Sequence, residues 1–501
     1  MMENRDSPSI KANYIYNTFY QVLAIVVPLV TTPYITRILG AEGIGEYAYA
    51  YSVATYFFMV CKLGIDNYGR RTIAFSRSDR SVLSKAFCSL YAMQIITSLF
   101  AIGIYVVYIL HDTRTTMSRI LVLYVISGML DISWFFFGLE QFKFTVIRNT
   151  IIKLLTTVFL FLFVRNGDGK SIYGYIMAGG YLVSSIALWP YVYRFVDFSL
   201  PSLQEVASHF KGNLVLFVPF LAVSLYKTMD KIMLGNMTSS AQVGLYEAAE
   251  KIIRVPVALI SSLGSVMMPR VSVLISEGKK EECEKYFERS LYFACFLATS
   301  ISFGIMGVGR EFVPFFYGAG FDECIGLYNY LLPSCVFLGI SNVLLTQYII
   351  PNNYYSVQII SVSSAAIVNF VMNSILIPRM QASGAAVGTL LAEMTVMIIE
   401  VIAIYKKTHV LKYMRNCIPA IVSGILMYIT LNQIRIPVTS ALIAIIVKAV
   451  IGLSIYVVLF FVQILIMRHI GLGKMDALVN EIPSNYKRIF GRLKSTNKSG
   501  N

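Results

Sequence analysis

Four charged side chains share one face of a predicted helix within an otherwise apolar stretch. The stretch EAAEKIIRVPVAL, residues 247–259, contains Glu247, Glu250, Lys251 and Arg254. Their spacings of three, four and seven residues place all four on one side of an α-helix. Lys and Arg bind anions, and Arg can hold phosphate through two parallel hydrogen bonds. The acids can neutralise these bases, or they can carry protons or cations.

The preceding apolar stretch carries a second group of charges. Lys227, Asp230 and Lys231 are spaced by three and four residues, so they also lie on one helix face. An ionisable side chain in hydrocarbon costs about 2.5–3.5 kcal/mol on insertion scales, so such residues usually face a bundle interior or a wet cavity. We therefore predict a hydrated cavity whose wall attracts an anionic head group through four bases, namely Lys227, Lys231, Lys251 and Arg254.

A packing role is the alternative interpretation of these charges. Side chains three or four residues apart can neutralise one another on a helix. This predicts three pairs that hold two helices together: Glu247 with Lys251, Glu250 with Arg254, and Asp230 with Lys227. Small residues would pack the helices at lower cost, so we favour the cavity. Asp230, Glu247 and Glu250 would then tune the bases or couple to protons or ions.

Three further ionisable residues stand alone in apolar stretches. Asp131 lies in GMLDISWFF and Glu393 in GTLLAEMTV. Both are candidates for proton or ion coupling, although a hydrogen-bonded packing role is the commoner one for a single acid. Lys153 is a further candidate for the anion-binding cavity. The sequence has no Walker, HExxH or CxxC pattern, so no catalytic site, metal site or cofactor is predicted.

The composition is that of an integral membrane protein. Of the 501 residues, 56% are hydrophobic and 14% are charged, whereas soluble domains are about 45–50% apolar and about 25% charged. The net charge is +15. Basic loops that orient helices in a bilayer explain this excess, and no nucleic-acid partner is expected.

Fourteen apolar runs are long enough to cross a membrane. The sequence therefore predicts an all-α integral membrane fold with about 14 transmembrane helices. When both termini are placed in the cytoplasm, 27 of the 42 Lys and Arg residues fall on that side and 8 on the other, in agreement with the positive-inside rule. The runs lie near residues 13–37, 44–65, 86–109, 119–138, 149–164, 172–193, 213–235, 241–267, 290–308, 325–350, 356–377, 384–404, 416–432 and 438–466.

An internal repeat organises these runs. RILGAEGIGEY at residues 37–47 resembles KIMLGNMTSSAQVGLY at residues 231–246, and Gly45 and Gly244 are 199 residues apart, an offset of six predicted spans. Parallel repeats of this kind are a transporter architecture. We predict an N-terminal six-helix lobe, a C-terminal six-helix lobe, two additional transmembrane helices and a basic cytoplasmic tail, at residues 1–200, 201–408, 409–467 and 468–501 respectively.

Several stretches of the sequence resemble a known family. YNTFYQVLAIVVPLVTTPYITRILGAEGIGEYAYAYSVATYF, continued by LGIDNYGRRTIA, is similar to the polysaccharide repeat-unit flippases of the Wzx type, as is MDKIMLG followed by VGLYEAAEKI. That family belongs to one superfamily with the multidrug and toxin extruders and the lipid II flippases. The resemblance covers essentially the whole chain and is most specific in the first 75 residues.

The resemblance implies both an architecture and a function. It implies a fourteen-helix bundle in the bacterial plasma membrane that moves undecaprenyl-pyrophosphate-linked oligosaccharide repeat units from the cytoplasmic to the outer leaflet. It also implies membrane lipids as partners, together with a polysaccharide polymerase and a chain-length regulator. The family's cationic lumen would correspond here, as a tendency, to Lys227, Lys231, Lys251 and Arg254.

Three other functions remain open at the level of sequence. A cation-coupled multidrug antiporter predicts a cavity dominated by acids and aromatics, which the bases described above disfavour. A lipid II flippase predicts the same cavity chemistry with a different sugar. A membrane enzyme predicts a large external loop or a catalytic residue at a membrane face, and neither is found in the sequence.

Overall fold

The computed structural model describes residues 10–111, 116–437 and 440–469, and within them it contains α-helices and no strand. The predicted tail therefore lies almost entirely outside the described residues. The helices of the N-terminal part are α1 Ile10–Lys62, α2 Ile65–Ser76, α3 Arg80–His111, α4 Thr116–Ile120, α5 Val122–Leu130, α6 Ser133–Gly138, α7 Phe142–Phe163, α8 Lys170–Ile186 and α9 Trp189–Val192, with a 3₁₀ turn at Gly167–Gly169.

The second part of the chain has fewer and longer helices. They are α10 Leu203–Met237, α11 Ser240–Ser276, α12 Lys280–Tyr317, α13 Glu323–Leu344, α14 Tyr355–Met380, α15 Ala382–Ile404, α16 Val410–Gln433 and α17 Ala441–His469, and a π-helical turn at Leu345–Ile349 follows α13.

The all-α membrane class predicted from the sequence is confirmed. Twelve helical segments of the described residues are long and apolar enough to cross a membrane. The first of them, Val22–Ser76, covers both of the first two predicted spans. The predicted seventh span, residues 213–235, lies on α10, which is not among the twelve. The count of fourteen and the division into lobes stay predictions.

A kink in α1 separates the first two predicted spans. Gly40 has φ of +65° and ψ of −179°, outside helical values, so two helices meet there without an intervening loop. A positive φ costs glycine little because it has no Cβ. Before the kink, the ring of Tyr34 lies 4.6 Å from that of Phe161 on α7. After it, the Cys61 thiol donates to the carbonyl oxygen of Val125 on α5, and the Thr97 hydroxyl of α3 donates to the carbonyl oxygen of Cys61.

Two of the segments between predicted spans are mostly helical. Residues 66–85 contain most of α2, and residues 268–289 contain the end of α11 and the start of α12, joined by a turn in which Gly278 has φ of +73°. In a third such segment, residues 194–212, Asp197 accepts hydrogen bonds from Arg80 Nε at 2.8 Å and Nη2 at 2.7 Å. This pairing lowers the pKa of the Asp197 carboxyl because the guanidinium stabilises its charged form.

The hairpin of α10 and α11 positions most of the predicted site. Helix α10 begins at a capping box, in which Glu205 N donates to Ser202 Oγ at 3.3 Å and Ser202 N donates to Glu205 Oε2 at 2.7 Å. The two helices are joined by two residues only, Thr238 and Ser239. So short a turn makes them antiparallel neighbours, which brings the charges near the end of α10 beside those near the start of α11.

The two glycines of the sequence repeat lie against each other where α1 crosses α11. A Cβ atom on Gly45 would overlap the carbonyl oxygen of Ser240, and a Cβ on Gly244 would overlap the carbonyl oxygen of Ala41. A side chain at either position would therefore force the helices apart. Small residues allow such close backbone contact in membranes. The repeat thus marks a contact between the two parts of the chain.

We expect Gly45→Ala to open this contact. One helical turn away, Tyr49 Oη donates a hydrogen bond to Asn236 Oδ1 at 2.9 Å. In a variant with Tyr49→Cys and Asn236→Cys, cross-linking by a short bis-maleimide therefore reports on the distance between α1 and the α10–α11 hairpin. Gly45→Ala should lower the yield of cross-linked protein severalfold, because the added methyl group cannot be accommodated.

The experiment needs a Cys283→Ser background, since the other six cysteines are buried. Gly103→Ala is the matched control, because a Cβ there would meet no atom within 4 Å. Equal cross-linking yields in the two alanine variants would show that the Gly45 contact does not hold the helices together.

Candidate functional site

Lys231 joins the two helices of the α10–α11 hairpin. Its Nζ lies 2.6 Å from Glu247 Oε2 and 2.7 Å from Glu250 Oε2, and only 8% of its side chain is exposed. One ammonium group thus pairs with two carboxylates that lie about one turn apart on α11. This shared pairing offsets the cost of removing three charges from water.

Lys251 and Arg254 are held less closely by the same two carboxylates. Lys251 Nζ is 3.7 Å from Glu247 Oε1, and Arg254 Nη2 is 3.4 Å from Glu250 Oε2. The Arg254 side chain is 60% exposed. These are the two α11 pairs predicted from the sequence, and the bridge to Lys231 was not predicted. We call these five residues the charged cluster; its three bases and two acids give a formal charge of +1.

Two cavities meet at Lys251. The larger cavity has a volume of about 290 Å³ and is lined mainly by α1, α7 and α8, with Lys153 and Lys251 among the lining residues. The smaller cavity has a volume of about 130 Å³ and is lined by Lys251 and Arg254 together with Thr32 and apolar side chains of α1, α11 and α12. No acid is among the described residues that line either cavity. Three of the predicted bases therefore border cavities.

Asp230 faces away from the charged cluster, toward α14 and α15. Its Oδ2 accepts hydrogen bonds from Tyr246 Oη at 2.6 Å and Thr389 Oγ1 at 2.7 Å, and its Oδ1 accepts one from Asn373 Nδ2 at 2.6 Å. Asn373 also donates to Asn369 Oδ1 at 3.2 Å. We call Asp230, Tyr246, Asn369, Asn373 and Thr389 the Asp230 cluster. It joins α10 and α11 to α14 and α15 by polar contacts.

The Asp230 cluster is rich in oxygen atoms and incompletely hydrogen-bonded. Asn373 Oδ1 and Asn369 Nδ2 are buried without a hydrogen-bond partner among the described residues. Carboxylate, amide and hydroxyl oxygens are the atoms that hard cations bind. The arrangement can therefore hold a proton or a small cation next to the Asp230 carboxylate.

Asp131 is paired within the N-terminal helices. Its Oδ2 lies 2.7 Å from Lys62 Nζ, which also lies 2.5 Å from Asp66 Oδ1. Its Oδ1 accepts hydrogen bonds from the amide and the hydroxyl of Ser133. These contacts stabilise the break between α5 and α6 at residue 131. They agree with the packing role noted in the sequence, and the coupling role stays a prediction.

The remaining predicted residues are dispersed. Glu393 lies half-buried on α15. Lys227 is on α10, but its side chain lies outside the described residues. The pair predicted between Lys227 and Asp230 therefore stays a prediction.

Sequence reasoning missed several polar residues of the second part. Asn369 and Asn373 are spaced by four within an apolar run, a signal that marks one polar helix face. Glu400 is almost completely buried on α15 and accepts a hydrogen bond from Ser341 Oγ at 2.6 Å. Glu400 is the second acid of the apolar run 384–404, after Glu393, and an acid within such a run was a usable signal.

The chain matches a known family over more than half of its length. The family described as "Polysaccharide biosynthesis protein" matches residues 10–275, a region that includes the whole charged cluster. A relative in Escherichia coli strain K12 with the name "Putative O-antigen transporter" is 22% identical over 357 residues, which are 70% of this chain and 86% of the relative.

A more distant relative and a solved structure extend the comparison. The "Probable low-salt glycan biosynthesis flippase Agl15" of Haloferax volcanii is 24% identical over 243 residues, 46% of this chain and 48% of that protein. The structure titled "Lipid II flippase MurJ, inward closed conformation" superimposes with a TM-score of 0.69 at 13% identity, covering 91% of this chain and 99% of the other. This last likeness shows a shared all-helical, multi-span fold.

We expect Lys231→Met to destabilise the protein strongly. The substitution leaves Glu247 and Glu250 without their closest cation, and breaking a buried ion pair in this way costs about 3–5 kcal/mol. The apparent unfolding temperature in detergent should fall clearly. Adding Glu247→Gln and Glu250→Gln should recover most of the loss, because no carboxylate then remains without its closest cation.

Lys279→Met is the matched control. Lys279 forms a 2.8 Å pair with Glu277 at an exposed turn, where such pairs contribute little, so no measurable change in unfolding temperature is expected. Equal effects of the two Lys→Met substitutions would contradict a structural role for the Lys231 bridge.

Proposed function

The chain belongs to the polysaccharide biosynthesis protein family, and we propose that it is a flippase for lipid-linked glycans. The cargo would be an undecaprenyl-pyrophosphate-linked oligosaccharide repeat unit, moved from the cytoplasmic to the outer leaflet of a bacterial plasma membrane for O-antigen, capsule or exopolysaccharide assembly. The observation that carries this proposal is the meeting of two cavities at Lys251, with Lys153 and Arg254 as further bases.

The distances within the charged cluster suggest how a diphosphate would bind. Glu247 and Glu250 hold Lys231 at 2.6 and 2.7 Å, but they hold Lys251 and Arg254 at 3.7 and 3.4 Å. The two outer bases can therefore bind phosphate oxygens while both acids stay paired with Lys231. Arg254 can do so through two parallel hydrogen bonds.

Alternating access would carry the bound cargo across the membrane. In the orientation predicted from the Lys and Arg distribution, the crossing of Gly45 and Gly244 lies toward the outer surface. The described conformation would then be closed on that side, and opening the crossing would release the glycan outward. Such rocking of one repeat against the other about a fixed site is typical of transporters built from repeats.

The Asp230 cluster is the proposed site of energy coupling. Its carboxylate lies on the same helix as Lys231, one residue away, and it also contacts α14 and α15. A proton or cation bound there would change the packing of α10 against α14 and α15, and hence the position of the charged cluster. Glu247 and Glu250 would tune the bases, and Asp131 and Glu393 remain weaker candidates for coupling.

Two other transport functions can be compared with the residues that line the cavities. A multidrug antiporter for cationic drugs needs acids at the cavity wall, whereas the described lining residues include bases and no acid. A lipid II flippase would use the same bases for the same diphosphate, so only the glycan distinguishes it. Membrane lipids are the expected surroundings, and a polymerase and a chain-length regulator stay predicted partners.

We expect Lys251→Ala with Arg254→Ala to abolish most glycan export. In the native host, deletion of the gene should remove the surface glycan and leave lipid-linked repeat units on the cytoplasmic leaflet. Wild-type protein should restore export, and the double variant should not, because it lacks the outer bases of the cluster. The measurement is surface glycan together with the leaflet distribution of the lipid-linked units.

Arg165→Ala with Arg194→Ala is the matched control for the loss of two positive charges. Both residues are exposed and lie outside the cavity linings, so this variant should restore export. Full rescue by Lys251→Ala/Arg254→Ala would return the cluster to a packing role. Normal surface glycan in the deletion strain would contradict the flippase proposal itself.

We expect Asp230→Asn to uncouple transport from its ion gradient. Asn is nearly isosteric but cannot bind a proton or cation in the same way. In proteoliposomes, the wild-type protein should move lipid-linked glycan faster when a proton or sodium gradient is imposed, and Asp230→Asn should lose that response. Asp168→Asn, at an exposed turn, should keep it. An unchanged gradient response in Asp230→Asn would exclude Asp230 as the coupling site.

A further inference from the structure

Five tyrosines from three helices form a continuous aromatic array in the N-terminal part of the chain. The ring of Tyr51 lies 4.9 Å from Tyr124 and 6.1 Å from Tyr181, and the rings of Tyr124 and Tyr181 lie 4.8 Å apart. Tyr47 stacks on Tyr51 at 5.6 Å and meets Tyr173 edge-on at 4.8 Å. We call these five residues the tyrosine array.

One side of the tyrosine array opens onto the larger cavity. Tyr173 and Tyr181 line that cavity together with Lys153 and Lys251. Tyr181 is 39% exposed, and its hydroxyl lies 3.3 Å from that of Tyr51. Small polar side chains complete this part of the wall: Asn149, Thr156, Thr157 and Ser184.

The wall therefore combines an aromatic face with hydroxyl and amide groups. A pyranose ring has the complementary character, since its C–H groups form an apolar face and its hydroxyl groups point outward from its edge. Aromatic rings with a polar tip suit ligands of this kind, and a few polar groups around an apolar wall fix a ligand's orientation. A diphosphate has no apolar face, so it gains nothing from stacking on the rings of the tyrosines.

The repeat shows that the two parts of the chain carry different chemistry at corresponding positions. The residues 199 positions before Glu250, Lys251 and Arg254 are Tyr51, Ser52 and Thr55. Hydroxyl and aromatic groups thus stand in α1 where charges stand in α11.

We propose that the tyrosine array binds a sugar ring of the cargo, close to the diphosphate held by Lys251. This inference rests on the proposed function and assigns the glycan to the N-terminal part and the anion to α11. Tyr181 is the contact residue, and Tyr51 and Tyr124 hold its ring in place. Because Lys251 lines the same cavity as Tyr181, the ring bound is one of those nearest the diphosphate.

The test compares two lipids that differ only in the glycan. Purified protein in nanodiscs is titrated with undecaprenyl pyrophosphate, and separately with the same lipid carrying the host's repeat unit. Wild-type protein should bind the glycan-bearing lipid more tightly. Tyr181→Leu should weaken binding of that lipid about three- to tenfold, a range expected for loss of one aromatic contact, and should leave binding of undecaprenyl pyrophosphate unchanged.

Further variants separate binding from folding. Tyr181→Phe keeps the ring and should retain most of the preference for the glycan. Tyr181→Met, which fills the space with a flexible chain, replaces Tyr181→Leu if the latter does not fold, and the same loss is expected. Tyr175→Leu is the matched control, because Tyr175 is 56% exposed on the same helix and lines neither cavity.

Four outcomes would overturn the inference. An equal loss of binding for both lipids in Tyr181→Leu means that the tyrosine only supports the fold. Unchanged binding of both lipids means that Tyr181 does not touch the glycan. Equal affinity of the wild type for the two lipids removes the sugar site and leaves the flippase proposal standing. Failure of the wild type to bind either lipid removes both proposals.

Discussion

The bridge from Lys231 to Glu247 and Glu250 is the interaction on which the candidate site depends. Three charges of one hairpin are buried together, and each would be costly to bury alone. The bridge fixes α10 against α11 and satisfies both carboxylates from the α10 side. Lys251 and Arg254 are then left at longer distances, at the border of two cavities. The same pairing that stabilises the hairpin thereby leaves two cations available to an anionic ligand.

Much of the fold and part of the candidate site could be predicted from the lengths of the apolar runs and from helical spacing. The apolar runs located most of the membrane helices. The spacings of the four charged residues at 247–254 predicted that they share one helix face, and in the structure they do. The bridge from Lys231 was not foreseen, because it depends on how closely a two-residue turn draws α10 and α11 together. The partners of Asp230 were also missed, since Asn373 and Thr389 are 143 and 159 residues away in the chain.

Shorter elements show a second limit of sequence reasoning. Helix α2 was not predicted, because a search for runs of about 20 apolar residues does not detect a twelve-residue amphipathic helix. The repeat was visible in the sequence, but its meaning was not. Periodicity identified Gly45 and Gly244 as equivalent positions, and only the structure shows that the two glycines touch each other.

The formal charge of the charged cluster has a consequence for the membrane voltage. Moving one elementary charge through 100 mV changes the free energy by about 2.3 kcal/mol. The empty cluster carries +1, so a voltage that is negative inside would favour its inward-facing position. The diphosphate of the proposed cargo, with two negative charges, would reverse the sign of the site. A voltage that is negative inside would then assist the outward step of the loaded protein and oppose its reversal. The voltage would thereby give transport a direction without any chemical reaction at the site.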